Sequence, residues 1–145
     1  MNMSKMLAAL SLVLLAQTSW AGEPISDLQA FEASYINCVK QKVANDCLTK
    51  ILKPHVEPGA QDFKSTPVNE ILHNWLSDGL YEAHLIANQT TGDLFQRRRY
   101  LLENNAGNLM LMSVRLRKFK GQWYFSTMSV SNDKSVLDQI TLPTP

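Results

Sequence analysis

The sequence predicts an α+β domain, with N-terminal helices packed on a curved antiparallel four-stranded meander sheet. Three observations carry that prediction. The runs Leu94 to Glu103, Leu109 to Phe119 and Gln122 to Val130 are long, apolar-rich and separated by turn chemistry, so they read as consecutive strands. A further extended run, Leu80 to Asn88, precedes them. The chain before Leu80 carries its apolar residues at helical spacing instead, which makes helices the cover of the sheet.

Of the 145 residues, positions 1–21 have the layout of a secretory signal. Lys5 supplies the positive start, Met6 to Ala16 the apolar stretch, and Ser19-Trp20-Ala21 a small-x-small cleavage site before Gly22. The apolar stretch is short for a bilayer span. The expected product is therefore residues 22–145, a single α+β domain, periplasmic or secreted, with no stable membrane insertion after cleavage.

Without Lys5 the chain has 13 acidic and 13 basic residues, but they are unevenly placed. Gly22 to Asp93 holds ten acids and five bases, and the remainder three acids and eight bases. Acidic helices against a basic sheet explain this within one molecule; a basic face for an acidic partner is the functional alternative. A neutral, exported domain without a nucleic-acid motif is not expected to bind nucleic acid.

Two cysteines, Cys38 and Cys47, remain after export, and an oxidising compartment makes a disulfide the expected state. In an unbroken helix their Cα atoms would stand about 13 Å apart at 1.5 Å per residue, well beyond the roughly 7 Å a disulfide tolerates. The helix must therefore break, and Val43-Ala44-Asn45-Asp46 offers the turn. Two thiols with no nearby His fall short of a zinc ligand set, and the spacing is not that of a catalytic CxxC pair.

From Ser26 to about Val43, Leu28, Phe31, Tyr35, Ile36, Val39 and Val43 recur at helical spacing, with Ser26 and Gln29 forming a capping-box pattern. A short second helix runs from Asp46 to about Leu52, stopped by Pro54. His55 to Lys64 reads as a polar connection, either a lid or a small extra hairpin. The third helix starts with Thr66 as cap and Pro67 at the first position, carries the stripe Val68, Ile71, Leu72, Trp75, Leu76, and closes at Gly79. Ser131-Asn132 is expected to cap a last helix through Ile140.

Strand alternation then divides the sheet. Tyr81, Ala83, Leu85, Arg98, Tyr100, Leu102, Met110, Met112, Val114, Leu116, Trp123 and Phe125 are expected on the core face. Glu82, His84, Arg97, Arg99, Arg115, Arg117 and Tyr124 are expected on the other. Arg98 stands out, because a buried cation is costly unless paired. It either meets a helix carboxylate such as Glu32, or lines an anion pocket with Tyr100, Tyr81 and Tyr35. On the outer face Arg97 should stand opposite Arg115, and opposed like charges are tolerated only where solvent or an acidic partner compensates them. Arg97, Arg99, Arg115, Arg117 and Tyr124 are thus the candidates for protein docking. His55, His73 and His84 show no metal-binding spacing, and no nucleophile motif or Gly-rich phosphate loop is present.

The helix Thr66 to Leu76 leading through Gly79 into a strand, and the hairpin Leu111 to Phe125 with its Lys120-Gly121 turn and Gln122-Trp123, carry a resemblance at the level of fold. They resemble the nuclear transport factor 2-like superfamily, with its cystatin-like cone. The resemblance implies a domain that either works as an isomerase or dehydratase through polar residues inside the cone, or binds ligands, or serves as a non-catalytic interaction module. No Asp or Glu falls at an inward strand position to act as the acid base, which argues against the enzyme. The expected function is a non-enzymatic, accessory or inhibitory module that binds another periplasmic or secreted protein. A small-ligand binder or enzyme using the interior around Arg98 is the alternative, and a homodimer through the sheet face a third. No catalytic residue, metal or cofactor is assigned.

Overall fold

A computed structural model describes residues 22–60 and 66–141 of the chain. The expected signal segment, Gln61 to Ser65 of the third connection, and the prolines closing the chain lie outside the described residues.

The first helix, α1, spans Leu28–Lys40. Its cap is Asp27 rather than Ser26: the carboxylate accepts the N–H groups of Gln29 at 2.9 Å and Ala30 at 3.0 Å. Before the cap the chain lies along the sheet instead, with Ile25 donating its N–H to the Trp123 carbonyl. Phe31, Tyr35, Cys38 and Val39 form the buried stripe.

The helix ends three residues earlier than the apolar pattern suggests, and the reason is specific. Val43 N–H bonds the Cys38 carbonyl and Lys42 N–H bonds the Val39 carbonyl, the paired bonds of a Schellman ending. Lys42, at φ 58°, occupies the left-handed position that glycine usually takes. Asn45 (φ 55°) and Asp46 (φ 53°) add two more left-handed turns. Together they reverse the chain and bring Cys47 back to Cys38, with Cα atoms 5.7 Å apart and the disulfide formed.

Helix α2, Cys47–Leu52, buries Leu48 and Leu52. Pro54 does not stop the chain abruptly; one 3₁₀ turn, Lys53–His55, follows. Val56 then bridges Phe125 in parallel, and Glu57 N–H bonds the Phe125 carbonyl. The connection expected to be a lid or hairpin therefore begins as a strand-like crossing. Helix α3, Thr66–Trp75, buries Leu72 and continues into buried Leu76. Gly79 closes it at φ 91°; a β-carbon there would come within 2.9 Å of the Asn105 amide nitrogen.

Strands β1 (Leu80–Thr91), β2 (Phe95–Asn104), β3 (Leu109–Phe119) and β4 (Gln122–Ser131) form an antiparallel sheet in the order β1-β2-β3-β4. Lys120 and Gly121, both at positive φ, make the tight β3–β4 turn. The β2–β3 turn is organised by buried Asn104, which accepts the N–H groups of Ala106 and Asn108 and donates to the Trp75 carbonyl at 3.0 Å. Helix α4, Lys134–Thr141, is capped by Asp133 through Ser135, not by Ser131-Asn132. Among the described residues no helix is long and apolar enough to cross a membrane.

The core lies between α1–α3 and the inner face of β2–β4, where Tyr100, Leu102, Met110, Met112, Val114, Leu116 and Phe125 are buried as the alternation requires. Tyr81 and Leu85 correct the expectation. They are 67% and 52% exposed. Register shifts at Tyr81 and at Ile86 break the regular alternation of β1, and β1 is the sheet's outer strand, with no residue in the buried core.

Candidate functional site

The sheet carries a charged cluster on each face, and the two differ in how completely their charges are met. On the inner face, Glu32 and Tyr35 stand three residues apart on α1, hence on one helical face, and Arg98 and Tyr100 two apart on β2, hence on one sheet face. The spacings meet. Arg98 pairs with the Glu32 carboxylate at 3.0 Å, with side chains only 11% and 26% exposed. Tyr100 donates its hydroxyl proton to the same carboxylate oxygen. Tyr35 and Tyr100 share a hydroxyl hydrogen bond of 2.5 Å, and with Tyr100 committed to Glu32, Tyr35 is its donor. The two rings pack edge to face.

Burial pushes the Tyr35 hydroxyl up to about 12, with the Glu32 charge adding to the effect. Burial and then the bond to Glu32 push Tyr100 strongly upward too. For Arg98, burial disfavours the cation, but the Glu32 charge outweighs it and the net direction is upward. The cluster is therefore a neutral tyrosine pair on a fixed ion pair. Of its surroundings, Arg98 Nε and the Gln96 side-chain oxygen lack hydrogen bonds among the described residues. Tyr81, expected beside these residues, lies exposed on the edge strand and outside the cluster.

The raised tyrosine sets a pH window. Tyr35 ionises in the unfolded chain near 10.0 and in the folded chain near 12. Its contribution is fully present below the first value and lost as pH rises through the second. Stability measured by urea unfolding should fall over that interval, and Tyr35→Phe should flatten the fall; an unchanged slope in the variant would refute the assignment.

On the outer face Arg97 stands directly opposite Arg115, and Arg99 opposite Ser113. A cleft here is lined by Gln89, Thr91, Phe95, Arg97 and Arg115. The Arg115 guanidinium lies 5.7 Å from the Phe95 ring centroid, and its Nε donates to Ser126 at 3.2 Å. Ser126 in turn donates to Glu57 at 2.8 Å, and Arg117 pairs with Glu57 at 3.3 Å. Among the described residues, Arg97, Arg99 and Arg115 form no ion pair. The cleft is thus lined by groups that can donate and by an aromatic face, with no carboxylate among them.

The other docking candidates divide. Arg99 faces a second cleft between the sheet and α4, lined also by Ile86, Ala87, Leu101, Gln139 and Ile140. Tyr124 is buried at 7% exposure, with its ring against Phe119, so it is packing rather than contact surface. Phe95, Gln89 and Thr91 were not among the sequence candidates; continuing the alternation two residues back from Arg97 would have found Phe95. His55 bonds the Glu23 carbonyl, His73 lies against the Lys42 carbonyl, and His84 sits between Glu82 and Glu103, three separate places. No protein-family model and no curated protein matches this chain.

Proposed function

We propose that the chain is an exported, non-enzymatic protein-binding module, accessory or inhibitory to its target, that holds an acidic partner on the outer face of its sheet. The observation that supports this most is the Arg97–Arg115 pair. Two guanidinium groups stand opposed across neighbouring strands without a carboxylate among the described residues, beside the open Phe95 ring. Opposed like charges are unfavourable in the free protein, so an acidic side chain entering the cleft gains two partners with fork geometry and an aromatic wall. Arg117 contributes less, because Glu57 already meets it. The disulfide agrees with an oxidising destination, periplasmic or extracellular.

The alternative, a ligand or substrate held in the interior, has weaker support. Glu32 already satisfies the Arg98 charge that motivated it, and Met110, Met112 and Phe125 fill the adjoining core.

The test is a fluorescent Glu-rich peptide titrated against the protein. Arg97→Glu with Arg115→Glu should weaken binding by at least about tenfold, with weakening by added salt in the parent protein. Arg117→Glu should do much less. The same double variant should lose the specific protein that the parent captures from a periplasmic extract. Equal binding by parent and double variant would overturn the docking face.

A further inference from the structure

The two edges of the sheet are treated differently. The outer edge of β4 is bridged over its first half, by Ile25 on Trp123 and by Val56 and Glu57 on Phe125. On the outer edge of β1, among the described residues, no strand pairs. β1 is also the longest strand, with twelve residues, and it carries Tyr81, Leu85 and Ile86, three large apolar side chains left exposed. A long exposed edge with apolar side chains is a template for another strand.

The residues on that edge say which strand. From Tyr81 the sequence reads Tyr-Glu-Ala-His-Leu, with Ala83 at its centre. We propose that β1 pairs antiparallel with β1 of a second copy of this chain about a two-fold axis at Ala83, joining two sheets into one of eight strands. A two-fold axis perpendicular to the sheet keeps each face continuous, so only registers centred on a residue are allowed. Centring on Ala83 sets Glu82 against His84 of the partner subunit on the outer face, twice. It also brings Leu85 of the partner subunit to the bulge at Tyr81, again twice. Centring on Glu82 would oppose two carboxylates, and centring on His84 would oppose two imidazoles and leave Glu82 facing Ile86. The charge pattern therefore selects one register of the three.

The bulges fit this arrangement. Irregularities at Tyr81 and Ile86 bracket the regular pairing of Glu82, Ala83, His84 and Leu85 with β2. They confine the new pairing to a short segment and hinder slippage; because the two-fold contact uses the β1 edge of both copies, it closes as a dimer. On the outer face, Glu103 also lies 3.9 Å from His84 and would face the joined Glu82 and His84 groups. The edge is separate from the Arg97–Arg115 cleft, and the inference does not depend on the docking proposal.

Sedimentation equilibrium of the purified chain, disulfide intact, tests it. The expected result is a concentration-dependent dimer. Leu85→Lys should give a monomer with unchanged circular dichroism, because a lysine on the edge blocks pairing. Glu82→Lys should raise the dissociation constant by about tenfold, and adding His84→Glu should restore it, because the exchanged pair sets a lysine against a carboxylate across the axis. A merely structural role for Glu82 would not be rescued by the swap. A parent protein that stays monomeric across the micromolar range, a dimer indifferent to these changes, one lost only on Arg97→Glu with Arg115→Glu, or open-ended assembly would each overturn the proposal.

Discussion

Replacing Arg98 with Met is expected to lower the unfolding free energy by about 3–5 kcal/mol, the cost of leaving a largely buried carboxylate without its counter-ion. Glu32 would keep one hydroxyl donor, Tyr100, which accepts from Tyr35 and cannot supply charge. The single variant Glu32→Leu should cost a similar amount by stranding Arg98 instead. The double variant, Glu32→Leu with Arg98→Met, should recover most of the loss, since apolar side chains of similar volume often replace a buried pair at little cost. Urea unfolding of the four proteins completes a double-mutant cycle. A loss below about 1 kcal/mol in Arg98→Met would mean that solvent reaches the pair well enough to screen it.

The second large effect concerns the crosslink. Changing both Cys38 and Cys47 to Ala should cost about 2–5 kcal/mol. The closed loop is short, so chain entropy alone accounts for roughly 2–3 kcal/mol of that. The rest comes from the turn the bond encloses. Lys42, Val43, Asn45 and Asp46 all hold positive φ, a conformation that costs L-residues about 1–2 kcal/mol each where no local bond offsets it. Val43 is β-branched and buried, so the least tolerant residue type lies inside this turn. Thermal unfolding with and without reductant measures the loss, and hydrogen exchange should show residues 42–52 opening first. Identical midpoints under both conditions would show that packing alone holds α2.

Some of this was legible in the sequence because its physics is short-range or costly to violate. Period-two alternation placed β3 at its observed limits, and the cost of a buried cation pointed from Arg98 to Glu32 across 66 positions. Other features depend on tertiary context. The Schellman ending uses Lys42 where glycine would announce it, so nothing in the residue type marks the stop. A bulge at Tyr81 or Ile86 leaves no trace in an apolar pattern, yet it decides which side chains of β1 are covered. Tyr124 alternates outward but is enclosed by Phe119, a neighbour across the hairpin. Phe95 shares the outward alternation of Arg97, but that it borders a cleft depends on the Arg115 guanidinium packing over its ring from β3.

The closure of the β4 edge also bears on the order in which the domain can form. Strands β1 to β4 are joined by consecutive hairpins, so each pairing needs only the strand just made, and such local contacts form early. The bridges of Ile25 to Trp123 and Val56 to Phe125 are different, since each waits for the last strand. Phe125 and Met128, also on β4, complete the core that α1 and α2 cover. A chain emerging from its N-terminus therefore has α1 and α2 before it has β4, the strand that completes the core those helices cover.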